Sequence, residues 1–197
     1  MISTYTELLD EVLIWSHRTD LTARIPNFIA LCEADMQVRC KLLEFEASAS
    51  ITVTAGVGAL PTGFTGMRSI YWDGNTDRPL RYITPAQMDA KRQETGDPNW
   101  YTVSGSSLLI SPAGDGTVVI NYRARFTPLS GASPTNVLLS NYPDAYLHGS
   151  LVQLHTYTKN SKARIEANEL YEPAVQRIVT DNNQRKYAGA SLVVRAS

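Results

Sequence analysis

Three histidines, two cysteines and two short carboxylate runs are the side chains of this 197-residue sequence whose types suit catalysis or metal binding. His148 and His155 lie seven residues apart, so on a helix they share a face but stand about 10 Å apart along its axis. One metal ion with nitrogen ligands at about 2 Å cannot span that gap. The positions four residues inward hold Val152 and Leu151 rather than an acid. His17 stands alone near an expected helix end, where a cation is favoured. Cys32 and Cys40 fall eight residues apart on one expected helix. That is about 12 Å of rise, twice the Cα separation that a disulfide allows, so both read as small core hydrophobes.

Glycine and serine patterns are equally unproductive. Gly56-Val57-Gly58 lacks the third glycine of a dinucleotide loop and leads into Leu60-Pro61 rather than a helix. Gly105-Ser106-Ser107 is an incomplete nucleophile elbow and serves better as a hairpin turn. Glu7, Asp10 and Glu11, like Glu166, Glu169 and Glu172, are spaced as solvated helix faces. No catalytic, cofactor or metal site is expected, and the chain does not read as an enzyme. Ten of its seventeen aromatics are tyrosines; Tyr71, Tyr82, Tyr101, Tyr122 and Tyr142 fall in strands or near loop ends, where strand packing and interface roles both account for them.

The elements that would carry these residues begin with a capping box, Thr4 and Glu7, ahead of Leu8, Val12 and Trp15. A first helix is expected from Tyr5 to His17. Pro26 at a first helical position, followed by Ile29, Cys32, Met36, Cys40 and Leu43, predicts a second from Pro26 to Glu46. From Ser48 the grammar becomes that of strands: Ser50–Thr54, Met67–Trp72, Leu80–Ile83, Trp100–Val103, Ser107–Ile110 and Thr117–Arg125. Turns are expected at Asp73-Gly74, Gly105-Ser106 and Gly114-Asp115-Gly116. Thr84, Pro85 and Gln87 open a short helix ending near Glu94. Residues 127–142 read as a long irregular connection. Pro143 opens a further helix, Ser161 another, and Pro173 should kink or break the latter.

The resulting fold class is α+β: a helical bundle of about four helices, with a β-rich insert and a short carboxy-terminal tail. Its divisions are 1–47, 48–126, 127–184 and 185–197. At 43% hydrophobic and 19% charged the composition is globular, and the length makes one domain, two at most. The longest uncharged run, Ala47 to Met67, is punctuated by four glycines and Pro61, so no membrane span is expected. The first residues lack a basic and apolar leader, so no secretory signal is expected either. The net charge is −1, without the basic excess of a protein that grips phosphates. It is unevenly spread: −4 over residues 1–46, +1 over 47–126 and +2 over 127–197.

Taken in order, a set of short runs resembles the head-to-tail adaptor proteins of tailed bacteriophages. The set starts with Trp15, Asp20, Ile25-Pro26-Asn27-Phe28-Ile29, Glu33 and Leu60-Pro61. It continues through Gly96-Asp97-Pro98-Asn99-Trp100-Tyr101, Leu109-Ile110-Ser111-Pro112, Asn121-Tyr122-Arg123 and Leu129-Ser130. It closes with Asn136-Val137-Leu138-Leu139 and Tyr142-Pro143-Asp144-Ala145-Tyr146-Leu147. The resemblance implies a non-enzymatic virion protein of the neck between capsid and tail, assembled in the host cytoplasm. It implies a ring of identical copies, twelve in this group, seated between the portal protein and a downstream tail or nozzle protein. Double-stranded DNA would pass through the bore without specific binding. The carboxy-terminal segment would dock on the portal, here through Tyr187, Leu192, Val193, Val194 and Arg195. Leu192-Val193-Val194 is suited to adding a strand to a partner's sheet edge. Glu7, Asp10 and Glu11 are candidates for contacts around the ring, where one face meets a different face of the next copy. The alternatives are another tail or neck completion protein without portal contact, a tail-associated peptidoglycan hydrolase, and a nucleic-acid-binding regulator, which the charge balance disfavours.

Overall fold

The computed structural model describes residues 2–73, 79–91 and 94–188. Its helices are α1 (Tyr5–Ser16), α2 (Ile25–Arg39), α3 (Pro85–Ala90), α4 (Val137–Asn141), α5 (Pro143–Tyr157) and α6 (Ser161–Tyr187). Its strands are β1 (Glu46–Thr54), β2 (Val57–Ala59), β3 (Phe64–Trp72), β4 (Arg81–Tyr82), β5 (Trp100–Ser104), β6 (Ser107–Ser111) and β7 (Gly116–Ala124). The architecture is mixed α and β. Described residues up to Glu44 and from Phe126 form one compact unit, which is helical, and Phe45–Arg125 form a second, which is built on a sheet.

In the helical unit α1 begins as its sequence dictates. Thr4 Oγ1 accepts the Glu7 N–H at 3.3 Å while the Glu7 carboxylate accepts the Thr4 N–H at 3.1 Å. The second helix is shorter than expected. It stops at Arg39, Cys40 is extended (φ −96°, ψ 97°), and Leu43–Phe45 form a 3-10 turn instead of continuing to Glu46. Cys40 and Leu42 are still buried, so apolar spacing continues past the point where the helical ladder ends. The expected irregular stretch 127–142 contains α4, capped by Asn136, whose Oδ1 accepts the Leu139 N–H at 2.8 Å. Pro173 does not break α6, which runs uninterrupted to Tyr187 and beyond the expected start of the tail at 185. Pro173 and Glu169 both lie on its exposed side, so the carbonyl that loses its partner to the proline faces water.

The helix α5 is the hub on which α1, α2, α4 and α6 pack. Leu8, Ile25, Ile29, Met36, Leu139, Tyr146, Leu154 and Ile178 make up the core. At Gly149 a Cβ would stand 2.4 Å from Cys32 Sγ and 2.7 Å from the Tyr171 ring, so α2 and α6 converge on α5 where only glycine fits.

The sheet has the order β3-β7-β1-β2-β6-β5-β4. Its pairs are antiparallel except β4 with β5. It curls until its ends touch: Pro79 bridges to Tyr71, and the Leu80 N–H donates to the Ile70 carbonyl at 3.2 Å. Ile51, Val53, Ile70, Leu108, Ile110, Val118 and Ile120 fill the interior. Six strands lie where alternation placed them. Of the expected Leu80–Ile83 only Arg81–Tyr82 are strand, and the expected short helix ends at Ala90 rather than Glu94. The seventh strand, β2, is three residues long with a central glycine, too short to signal itself. Glu46 faces Arg123 across the β1–β7 ladder, so the chain enters and leaves this unit on neighbouring strands.

Candidate interaction surfaces

Residues with chemical potential are mostly spoken for by the fold. Cys32 on α2 and Cys40 just past its end are both buried; desolvation pushes the Cys40 thiol up to about 11 and that of Cys32 further. Neither is a nucleophile at neutral pH. His148 stands edge-on to Trp15, ring centroids 5.6 Å apart, and burial holds it and His155 below the usual imidazole range. Among the described residues no group of three His, Cys, Asp or Glu side chains could hold a metal ion. The β unit has a cavity of about 450 Å³ lined by Gly56, Val57, Met88, Ile110, Ser111 and Ala113 among others. Its hydroxyl, Ser111 Oγ, already donates to the Lys91 carbonyl at 2.9 Å. Such a lining offers packing and no acid, base or nucleophile.

The carboxylates of α1 do reach the surface. Glu7, Asp10 and Glu11 project from one side with Ile14, which is 61% exposed, consistent with spacings of three, four and seven residues. Glu7 is not a free charge, however. Its carboxylate accepts the N–H groups of Ser3 (2.6 Å) and Thr4 (3.1 Å), which hold it below the usual carboxylate range. Asp10 is exposed and Glu11 half-buried on that same side.

A second surface escaped the sequence reading. Helix α2 is apolar on both sides: Ile25, Phe28, Ile29, Cys32 and Met36 face the core, while Leu31 (53% exposed) and Val38 (71%) face outward with Ala34 between them. One flank of this strip is closed by Arg39, which pairs with Glu172 and Asp35. The other is closed by Glu33 and Gln37, which hold the loop after the sheet: Gln37 accepts the Phe126 N–H at 3.1 Å and Glu33 the Leu129 N–H at 2.8 Å. The available signal was that Leu31, Ala34 and Val38 fall on the side of the helix opposite Ile25, Ile29 and Met36, where a surface helix would carry polar residues.

Glu33 is the chemically unusual residue here. It is 6% exposed, and Tyr146 O–H donates to it at 3.0 Å while Asn136 Nδ2 donates to Tyr146 at 2.7 Å. Desolvation raises its carboxyl above the usual range. The network fastens loop, α2, α4 and α5 to one another, which is a structural task.

The tyrosines divide as well. Tyr122 and Tyr142 are buried and Tyr82 is exposed. Tyr187 closes α6, and Leu192, Val193, Val194 and Arg195 lie outside the described residues. Among the described residues no helix is long and apolar enough to cross a membrane. In comparison with known proteins, the model of one family, described as SU10 adaptor protein, matches residues 3–195. No curated protein matches the chain.

Proposed function

The chain belongs to the SU10 adaptor protein family, and on that premise we propose that it is a non-enzymatic ring subunit of a bacteriophage neck. Twelve copies would sit between portal and tail and extend the DNA channel. The observation that carries this reading is the family match over nearly the entire chain. The surfaces fit the role. A closed ring needs two unlike faces on each copy, and the helical unit has an acidic face at Asp10 and Glu11 and an apolar strip at Leu31, Ala34 and Val38. A net charge of −1 suits a wall past which DNA must move, because each phosphate contact would slow transit. The chain beyond α6, with Leu192, Val193, Val194 and Arg195, is the segment that would dock on the portal.

Mixing the protein with its purified portal and weighing or imaging the product tests the reading. Twelve copies on one portal are expected; no association overturns the assignment. Reversing the charge of Asp10 and Glu11 together should weaken ring formation and change its salt dependence. Glu7 is left intact in that variant because it caps α1.

A further inference from the structure

The end of α6 reaches back to the segment by which the chain leaves the helical unit. Asn182, 8% exposed, accepts the Leu43 N–H at 2.9 Å through Oδ1 and donates Nδ2–H to the Lys41 carbonyl at 3.1 Å. One turn on, Arg185 pairs with Glu44. One residue back, Asp181 accepts the Tyr142 O–H at 3.1 Å. Lys41 and Leu42 follow the break at Cys40 and belong to neither a helix nor a sheet. A buried backbone group without a partner is costly, and here a single amide side chain supplies both a donor and an acceptor. The same amide anchors the last two turns of α6, the end of a helix that would otherwise fray.

We propose that Lys41–Glu44 and the last two turns of α6 form one latch that opens and closes as a unit. Whatever engages the chain beyond Ala188 is then felt at Lys41–Glu44. Linkage makes the coupling reciprocal: a molecule that holds the end of α6 in place shifts the population toward the closed latch. The latch stands on its own contacts, and only the engagement of the chain end rests on the attachment proposed above.

Amide hydrogen exchange on the full chain reads the latch directly. Asn182→Ala removes both bonds to the exit segment, and exchange at Leu43 should quicken about tenfold, with a similar rise over residues 183–187. Arg185→Ala, at an exposed pair, should quicken both regions about twofold. Asn182→Asp keeps the acceptor for Leu43 and should fall between them. Unchanged exchange at Leu43, or a rise there without one at the end of α6, overturns the proposal. Should Asn182→Ala fail to fold, the two milder variants decide by the same criterion, paired or unpaired change. Adding portal to the wild-type protein should slow exchange at Leu43; binding without that slowing overturns the sensing half. Absence of binding, with the variants behaving as expected, removes the portal assignment and leaves the latch.

Discussion

Side chains separated by 96 to 139 residues tie the helical unit together, Glu33 to Leu129 and Tyr146, Arg39 to Glu172, Asn182 to Leu43. The β unit relies instead on backbone ladders wrapped round an aliphatic interior. Side-chain pairs such as Arg68 with Glu46 and Asn121 with Ser69 lie on its outside. Removing one clamp from the helices takes away one connection and leaves the others. Opening a hole in the sheet's interior affects every strand that lines it. The contrast predicts a β unit that fails all at once and a helical unit that loosens by degrees.

The largest effect should come from Ile120→Ala. Ile120 is fully buried on β7, which pairs with both β1 and β3, and truncation should cost about 3 kcal/mol. Thermal unfolding followed by hydrogen exchange should show the strands losing protection together while α5 keeps its own. A loss shared equally by α5 would break the contrast. Gly149→Ala should cost about 2 kcal/mol through the clash with Cys32 and Tyr171, with the loss of protection confined to α2, α5 and α6. Wild-type protection in α2, α5 and α6 would mean that the helices had repacked around the added methyl group.

Smallest, and most informative about polar clamps, is Glu33→Gln. The glutamine keeps an acceptor for Leu129 N–H and Tyr146 O–H and ends the burial of a charge. Because burial raises the folded-state carboxyl above its unfolded value, between those two values the native state holds a proton that the unfolded chain has given up, and above them it carries a buried charge. Stability from this residue is therefore complete below the unfolded value and falls as pH rises through the folded one. Glu33→Gln should gain up to about 1 kcal/mol at pH 7 and nothing at pH 4. Unfolding curves at the two pH values check it, and an equal difference at both would show that Glu33 sits in the fold without a shifted titration.

Much of this was legible in the sequence. Both capping boxes formed, at Thr4 with Glu7 and at Thr84 with Gln87, because a cap is a local contract among four residues. Strands with β-branched alternation were equally local. What was missed depended on distant partners. The end of α2 at Arg39 could not be read because Cys40 and Leu42 remain apolar and buried; the groups that replace the helical ladder come from Asn182, about 140 residues away. The effect of Pro173 depends on which side of α6 it occupies, and that side faces water. The outer strip of α2 was hidden by its own apolarity, since Leu31 and Val38 resemble core residues until the partner helices are seen to lie elsewhere.

Facing one another across adjacent strands, Glu46 and Arg123 place the two ends of the β unit about 5 Å apart at the Cα atoms. A span that small can be bridged by a short turn. The sheet is thus a cassette in a helical frame: it can be excised, exchanged or lengthened without changing the frame's termini, as tolerated domain insertions require. A lineage built on such a joint can diversify the inserted unit while leaving the frame alone. An engineer can graft a foreign domain at the same two residues.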